Sequence, residues 1–376
     1  MSRKEQLTIT AIAYGGEALG RLDSGEVCFV RGALPGEKVE VEITEKKKRF
    51  LRGRLTALHE RSPFRITPEC PFAEICPGCS FQHCDYTLEL EWKQRQFEHF
   101  LQNFPGERLP IFPSPRRFGW RNRLKVSCEN GKAGYRGFDN VTLLPIDRCM
   151  LVSPDINTSF KETVLPDEGT LFFRSTFSWC GEIKSFSGRY LTEELPGIGR
   201  FSVPPSGFFQ TNPAVAAELC SRVTAAIKDS GARKMLELFC GTGVFSLAAA
   251  AQIKDLHTSG IELSQESITA AVYNTRQWAL EERCRFQVGD ACNFPAKEKY
   301  DILLLDPPRS GLDGKLVKKI LKSGIPGLLY ISCGPDTLSR DLQLLSEKYQ
   351  VLQAGALDMF PCTAHFETFT ILTLSK

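Results

Sequence analysis

The sequence predicts an α/β Rossmann-like domain, preceded by a small N-terminal β-barrel and a central α+β region. Three observations carry this. From about residue 206, short and nearly all-apolar runs alternate with helical stretches, the mark of a parallel sheet covered on both faces. Residues 5–58 hold about five short alternating strands with tight turns, enough to close a small barrel. Between these regions lie a loop rich in proline and cysteine and a set of strand-like runs without a nucleotide motif. Three units are expected, at 1–60, 61–205 and 206–376, and the 376-residue length suits two to three domains.

The composition is that of a folded globular chain, with 42% hydrophobic and 24% charged residues. This excludes disordered, collagen-like and small disulfide-scaffold classes. Net charge is only +3, from 47 basic and 44 acidic residues, so any basic surface must be local. The start, Met1-Ser-Arg-Lys-Glu-Gln, has no apolar stretch behind it, and no signal peptide is expected. No run of about 18 apolar residues suggests a membrane span. A cytoplasmic chain is therefore expected, and a monomer, since nothing indicates an oligomer. The unusual count is 14 cysteines against 5 histidines. In a reducing compartment that points to a metal, a cluster or catalysis before disulfides.

In the barrel, Leu7–Ala13, Glu26–Val30 and Lys38–Thr44 alternate or lead into glycine turns. Lys46, Lys47, Lys48, Arg49, Arg52 and Arg54 crowd the last hairpin. Contact with an RNA backbone is favoured there over a merely solvated loop. Residues 61–90 are loop-like, and Leu88–Phe104 is predicted as an amphipathic helix ended by Pro105-Gly106. Arg116–Lys125 packs five cations and two aromatics into ten residues. That mixture suits single-stranded RNA, and a strand with an exposed basic face accounts for it nearly as well.

The loop carries Cys70-x5-Cys76-x2-Cys79. Three close thiolates and a distant fourth hold zinc or a four-iron cluster. Cys84, Cys128 and Cys149 are candidates for the fourth, and spacing alone does not separate the two metals.

In the last unit, Met235-Leu-Glu-Leu-Phe, Ser259-Gly-Ile-Glu-Leu, Asp301-Ile-Leu-Leu-Leu-Asp and Gly327-Leu-Leu-Tyr-Ile-Ser read as buried strands. Gln350–Leu357 and Phe366–Leu374 follow with no helix between them, as an antiparallel hairpin at the sheet's edge. Gly241 and Gly243 let backbone approach a ligand, but the full dinucleotide fingerprint and the P-loop lysine are missing. Glu262, eighteen residues after Val244, ends the next strand, and Asp290 follows the third. Acids placed serially at carboxyl ends of strands, with no phosphate-binding lysine, favour S-adenosylmethionine over NAD or ATP.

Asp306-Pro-Pro-Arg309 follows the fourth strand and Cys333 ends the fifth. Leu357-Asp-Met-Phe-Pro-Cys-Thr-Ala-His-Phe-Glu367 brings an acid back to the same edge. These types fit methylation of uracil at C5. That carbon is too weak a nucleophile until a thiolate adds at C6, and a base must then remove the C5 proton. Cys333 fits the thiol, Glu367 the base, and Gln210 with Asp306 the carbonyl-edge contacts. A stacked base is out of reach, so the target is unpaired or flipped.

With these motifs in view, the chain resembles the RNA 5-methyluridine methyltransferase family, in the branch with a TRAM barrel and a [4Fe-4S] cluster. The resemblance covers nearly the whole length. It implies a TRAM barrel over residues 5–58 that helps hold RNA. It implies Cys70, Cys76, Cys79 and Cys149 as cluster ligands, the last within Ile-Asp-Arg-Cys. Gly207-Phe-Phe-Gln210-Thr-Asn matches the segment whose glutamine touches cofactor and uracil. Phe239, Val244, Glu262 and Asp290 fall on cofactor-contact positions, beside Gln210, Gly241, Gly243 and Asp306. Asp306-Pro-Pro-Arg-Ser-Gly with Tyr-Ile-Ser-Cys333 matches the nucleophile signature, and Asp-Met-Phe-Pro-x-Thr-x-His-x-Glu367 the base signature.

Two positions depart from the pattern. Gly334 replaces the usual Asn, which bears on the loop holding Cys333. Cys362 replaces His, Gln or Tyr, which bears on RNA contact. The implied activity is methylation of uridine C5 in 23S ribosomal RNA. The alternatives are transfer RNA, an RNA cytosine-C5 methyltransferase, or a non-catalytic RNA-binding factor.

Overall fold

The computed structural model describes residues 4–375; Met1–Arg3, on which the expectation about the chain's start partly rests, and Lys376 lie outside the described residues. Five strands open the chain: β1 (Lys4–Ile12), β2 (Ala18–Arg21), β3 (Val27–Val30), β4 (Lys38–Lys46) and β5 (Leu51–Glu60). They close a barrel in the order β1-β2-β3-β5-β4. Strand alternation sends Leu7, Ile9, Val30, Val39, Val41 and Leu51 into one small core.

Helix α1 (Tyr86–Leu101) starts where the Asp85 side chain accepts the Thr87 N–H at 2.7 Å. A short strand, β6 (Glu107–Arg108), follows. The central antiparallel sheet contains β7 (Arg123–Glu129), β8 (Lys132–Arg136), β9 (Leu143–Pro145), β10 (Glu168–Ser175) and β11 (Cys180–Glu182). Helix α2 (Pro154–Glu162) covers it through Ile156 and Phe160. The hairpin of β12 (Leu191–Leu195) and β13 (Gly199–Val203) lays its apolar face into the core of the last unit.

That last unit alternates α3 (Pro213–Asp229), β14 (Lys234–Leu238), α4 (Val244–Gln252), β15 (His257–Glu262), α5 (Gln265–Gln277), β16 (Cys284–Val288), β17 (Ile302–Leu305), α6 (Gly314–Ser323), β18 (Gly327–Ser332) and α7 (Pro335–Leu345). It ends in β19 (Tyr349–Leu357) and β20 (Glu367–Leu374). The sheet order is β16-β15-β14-β17-β18-β20-β19-β6. β14 to β18 run parallel, and β20 is antiparallel to both its neighbours. The strand order reverses between β14 and β17, the crevice where such sheets bind ligands.

Helices α1, α6 and α7 share one core with the sheet, and α3 and α4 another on its opposite side. The expected hairpin at the sheet's end is present, but β6 adds outside it, pairing parallel with β19. Among the described residues, no helix is long and apolar enough to cross a membrane.

Candidate active site

One cleft of about 1070 Å³ opens at the carboxyl ends of the parallel strands and reaches all three regions of the chain. Of the residues singled out from the sequence, Gln210, Phe239, Gly241, Glu262, Asp306, Cys333 and Glu367 line it. Gly243, Val244 and Asp290 are not among its lining residues. Asp290 is exposed and caps a short turn by accepting the Cys292 N–H at 2.8 Å. Gly243 caps α4 with φ +82°, and a Cβ there would meet the Phe286 ring at 2.6 Å. That glycine permits close packing of helix on strand.

The register of two strands explains the pairing of Cys333 and Glu367. β18 runs toward the cleft and β20 runs away from it, with Ser332 opposite Thr368. Cys333 leaves one strand beside the point where Glu367 enters the other. Burial raises the Cys333 thiol to about 11, reinforced by the Glu367 carboxylate and opposed by the positive charge of Arg309. Burial also holds Glu367 well above the carboxylate range, with Asp306 adding to it and Arg309 again opposing. Asp306 is raised to about 7 by burial and by Glu262. Two acids, Asp306 and Glu367, and the Cys333 thiol thus share one pocket in which their neutral forms are favoured, and the Arg309 guanidinium draws Cys333 and Glu367 toward ionisation.

Gly334 is held rather than loose. Its N–H donates to Ser332 Oγ at 3.1 Å, and its carbonyl accepts Thr337 Oγ1 at 2.9 Å.

At the glycine turn, Glu262 accepts the Gly241 N–H at 3.3 Å and the Ser264 N–H at 2.9 Å. No atom lies within 4 Å of where a Cβ would stand at Gly241, so that backbone faces open cleft. Phe239 adopts φ +64°, a conformation that costs a non-glycine residue about 1–3 kcal/mol and gathers at functional sites. Behind the turn, Glu237 is raised to about 8, chiefly by burial, and accepts both the N–H and the hydroxyl of Ser246.

Sequence reasoning passed over several lining residues. Trp120, Phe208, Arg309 and His365 all face the cleft. Phe208 lies in the Gly207–Asn212 segment already singled out, and it is largely exposed at the cleft.

The two basic runs differ from expectation. In Arg116–Lys125, Trp120, Asn122 and Leu124 are buried. Arg117 turns inward to the Phe81 and Cys84 carbonyls, each at 2.7 Å. Arg123 donates to the Gly207 carbonyl at 2.9 Å, and burial lowers it to about 9. Only Arg116 and Lys125 of the five cations are exposed. The run is mainly internal scaffolding, because the strand and its approach must bury alternate residues. In the barrel, Lys46, Lys47, Arg52 and Arg54 pair with Glu26, Glu45, Glu17 and Glu42.

Cys70, Cys76, Cys79 and Cys149 line a second cavity, of about 60 Å³, which shares Gly78, Cys79 and Arg121 with the cleft. Cys84 and Cys128 are buried elsewhere. Among the described residues, no three His, Cys, Asp or Glu side chains stand close enough to hold a single metal ion. All 14 cysteines are free thiols. The Gln82 amide donates to Cys79 Sγ at 3.1 Å. Cys362 is fully buried and packs with Cys79 and Cys149, so it lies in the interior rather than at an RNA-facing surface.

Comparison with known proteins matches the barrel and most of the last unit. A TRAM domain model matches residues 3–56, a methyltransferase domain model 235–308, and a tRNA (uracil-5-)-methyltransferase model 294–375. An uncharacterized RNA methyltransferase of Thermosynechococcus vestitus is 28% identical, over 98% of both chains. A 23S rRNA (uracil(1939)-C(5))-methyltransferase RlmD of Marinomonas sp. is 29% identical, over 98% of this chain and 94% of the relative. The crystal structure of Pyrococcus abyssi tRNA (uracil-54, C5)-methyltransferase, solved with S-adenosyl-L-homocysteine, shares the fold. It has a TM-score of 0.80 and 23% identity, over 98% of this chain and 99% of that one. The domain models match a barrel and a methyltransferase sheet in a chain that aligns nearly end to end with these relatives, and the chain belongs to the RNA uracil-C5 methyltransferase family.

Proposed function

We propose that this protein methylates C5 of uridine in RNA, with Cys333 as nucleophile and Glu367 as proton acceptor. The observation that carries the reading is their placement side by side at the cleft edge of β18 and β20. S-adenosylmethionine, when bound, supplies an electrophilic methyl group. Gly241, Phe239 and Glu262 present the backbone, ring and carboxylate expected to hold it, with Gln210 and Asp306 reaching between cofactor and base. Gly243, Val244 and Asp290 keep a supporting place in this assignment.

Cys333 Sγ, as thiolate, bonds to C6 of an unstacked uracil and places charge on C5. C5 would take the methyl group as the donor's sulfur–methyl bond breaks, its electron pair staying on sulfur to leave a neutral thioether. Glu367 removes the C5 proton, the electrons of that bond restore the C5–C6 double bond, and the C6–Sγ bond breaks to return the thiolate. Gln210 and Asp306 face the base edge, and a protonated Asp306 can donate to a carbonyl as the enolate forms.

We read residues 1–60 as an RNA-holding barrel, 61–205 as the central region and 206–376 as the methyltransferase unit. Cys70, Cys76, Cys79 and Cys149 are assigned to a [4Fe-4S] cluster. The support for this reading is that the four thiols line one cavity, an all-cysteine donor set of the kind such a cluster takes. Such a cluster would tie the 70–79 loop to the β9–α2 connection that carries Cys149, with no part in the chemistry. The favoured substrate is 23S ribosomal RNA in the cytoplasm, by likeness to the RlmD relatives; transfer RNA is the second reading, by the substrate of the Pyrococcus enzyme.

The test uses tritium-labelled cofactor and RNA from a strain lacking the gene. Incorporation by wild type and none by Cys333→Ala is expected, and undiminished incorporation by that variant would sink the mechanism. Mapping 5-methyluridine in ribosomal and transfer RNA of the strain identifies the substrate.

A further inference from the structure

We propose that Lys93, on α1, is a positioning residue for Glu367: it sets the place of the 358–366 segment, so that its removal stalls release of methylated RNA from Cys333. This role rests on the uracil reaction proposed above.

Lys93 Nζ donates to Glu89 Oε1 at 2.8 Å, to Asp358 Oδ1 at 2.6 Å and to the Phe360 carbonyl at 3.2 Å. The Lys93, Glu89 and Asp358 side chains are wholly buried. Tyr86 Oη donates to the other Asp358 oxygen at 2.7 Å, and Arg117 reaches Glu89 Oε2 at 3.4 Å. Glu89 Oε1 also accepts the Cys362 N–H at 2.7 Å. The group therefore grips one segment at Asp358, Phe360 and Cys362, just before Glu367. Phe360, Thr363, Ala364 and His365 of that segment line the cleft.

Buried ions are a poor way to gain stability, since well-packed apolar side chains of similar size often do as well or better. Phe97 and Leu101 already fasten α1 to the sheet core. What an apolar side chain cannot do is bind three defined oxygen atoms at once. The grip fixes position, and the position it fixes leads to the proton acceptor.

Cys333 and the glycine turn hang from other strands. A loosened segment leaves thiolate addition and methyl transfer intact and slows removal of the C5 proton. The species that accumulates is RNA joined through C6 to Cys333 Sγ, carrying the new methyl group on C5.

Lys93→Met alone strands two carboxylates against Arg117. The double variant Lys93→Met/Asp358→Asn leaves one cation facing one carboxylate and keeps an acceptor for Tyr86. Both variants are incubated with methyl-labelled cofactor and uridine-containing RNA and run on a denaturing gel. The double variant is expected to melt near the wild-type temperature, to turn over 10- to 100-fold more slowly, and to keep its KM for cofactor. It is expected to show a labelled RNA–protein band that Cys333→Ala abolishes. Wild-type turnover overturns the inference, as does slow turnover without the band, or a double variant that does not fold. If wild type forms neither 5-methyluridine nor adduct, the reaction itself is wrong, a result separate from any outcome in the variants.

Discussion

The carbonyl of Cys362 accepts the backbone N–H of Ser80 at 2.8 Å. The Phe81 N–H joins the same oxygen at 3.1 Å. These bonds tie the end of the cysteine loop to the segment that leads to Glu367. Cys362 holds φ +65° to make them, in a region few non-glycine residues enter unless their surroundings compel it. Cys79, immediately before Ser80, lines both the small cavity and the cleft.

The four cysteines should therefore not be equivalent. If the proposed cluster is present, Cys70→Ala and Cys76→Ala are expected to lower soluble yield and its brown absorbance at about 400 nm, with smaller effect on turnover per folded molecule. Cys79→Ala is expected to cut turnover about tenfold more than they do, by releasing a wall of the cleft. Absorbance, iron content and single-turnover rate on the folded fraction check this. Equal turnover losses in all three variants would show that the shared wall has no bearing on the site.

Gly16, in the β1–β2 turn, joins the barrel to both loops. Its φ is +89°, and a Cβ there would stand 2.7 Å from Ser80 Cβ and 3.3 Å from Ala364 Cβ. Gly25 has a similar φ of +82° with nothing within 4 Å. Gly25→Ala should cost about 1 kcal/mol for backbone strain alone. Gly16→Ala should cost roughly 1–3 kcal/mol more, because backbone and neighbour must both give. Denaturant melts of the two variants separate the terms.

The parts of this molecule that were legible in the sequence are those whose causes are local. β14, β17 and β18 are largely apolar runs because both faces of each are covered. Cys333 and Glu367 sit in short motifs at strand ends, and both line the cleft as those motifs suggest. The direction of a side chain was not legible. Arg117 and Arg123 belong to a run whose composition suits RNA, yet their partners are carbonyls of distant residues. Lys93 and Glu89, four apart on a helix, look like any surface pair until Asp358 arrives from the far end of the chain. The β12–β13 hairpin shows one apolar face, and only the folded chain reveals that α3 and α4 share its core.

Activity should climb with pH. The Cys333 thiol lies near 11, and Glu367 lies well above the usual carboxylate range. In the proposed reaction each acts only when deprotonated, so the active fraction grows as pH rises toward those values and shrinks below neutrality. Arg309 pulls both downward. Single-turnover rates from pH 6 to 9 are expected to increase throughout for wild type. Arg309→Gln should move the rising limb upward by about one pH unit, the order expected for loss of a close opposite charge. An unchanged profile in that variant would remove Arg309 from the electrostatics of the pair.

RNA affinity should depend on few of the barrel's cations. Lys46, Lys47, Arg52 and Arg54 are engaged by glutamates of the same barrel, which cancels much of their field at the surface. Lys48 and Arg49 stand exposed at the tip of the β4–β5 hairpin, where a phosphate can approach without first breaking a pair. Lys48→Ala/Arg49→Ala is therefore expected to weaken binding more than Lys47→Ala/Arg54→Ala, although both remove two charges. For a single-stranded RNA, each phosphate left without its cation should lower the slope of log affinity against log salt by about 0.7. Fluorescence anisotropy with a labelled uridine-containing RNA across a salt series measures both quantities. If the two double variants fall on one line, the ion pairs do not shield the hairpin.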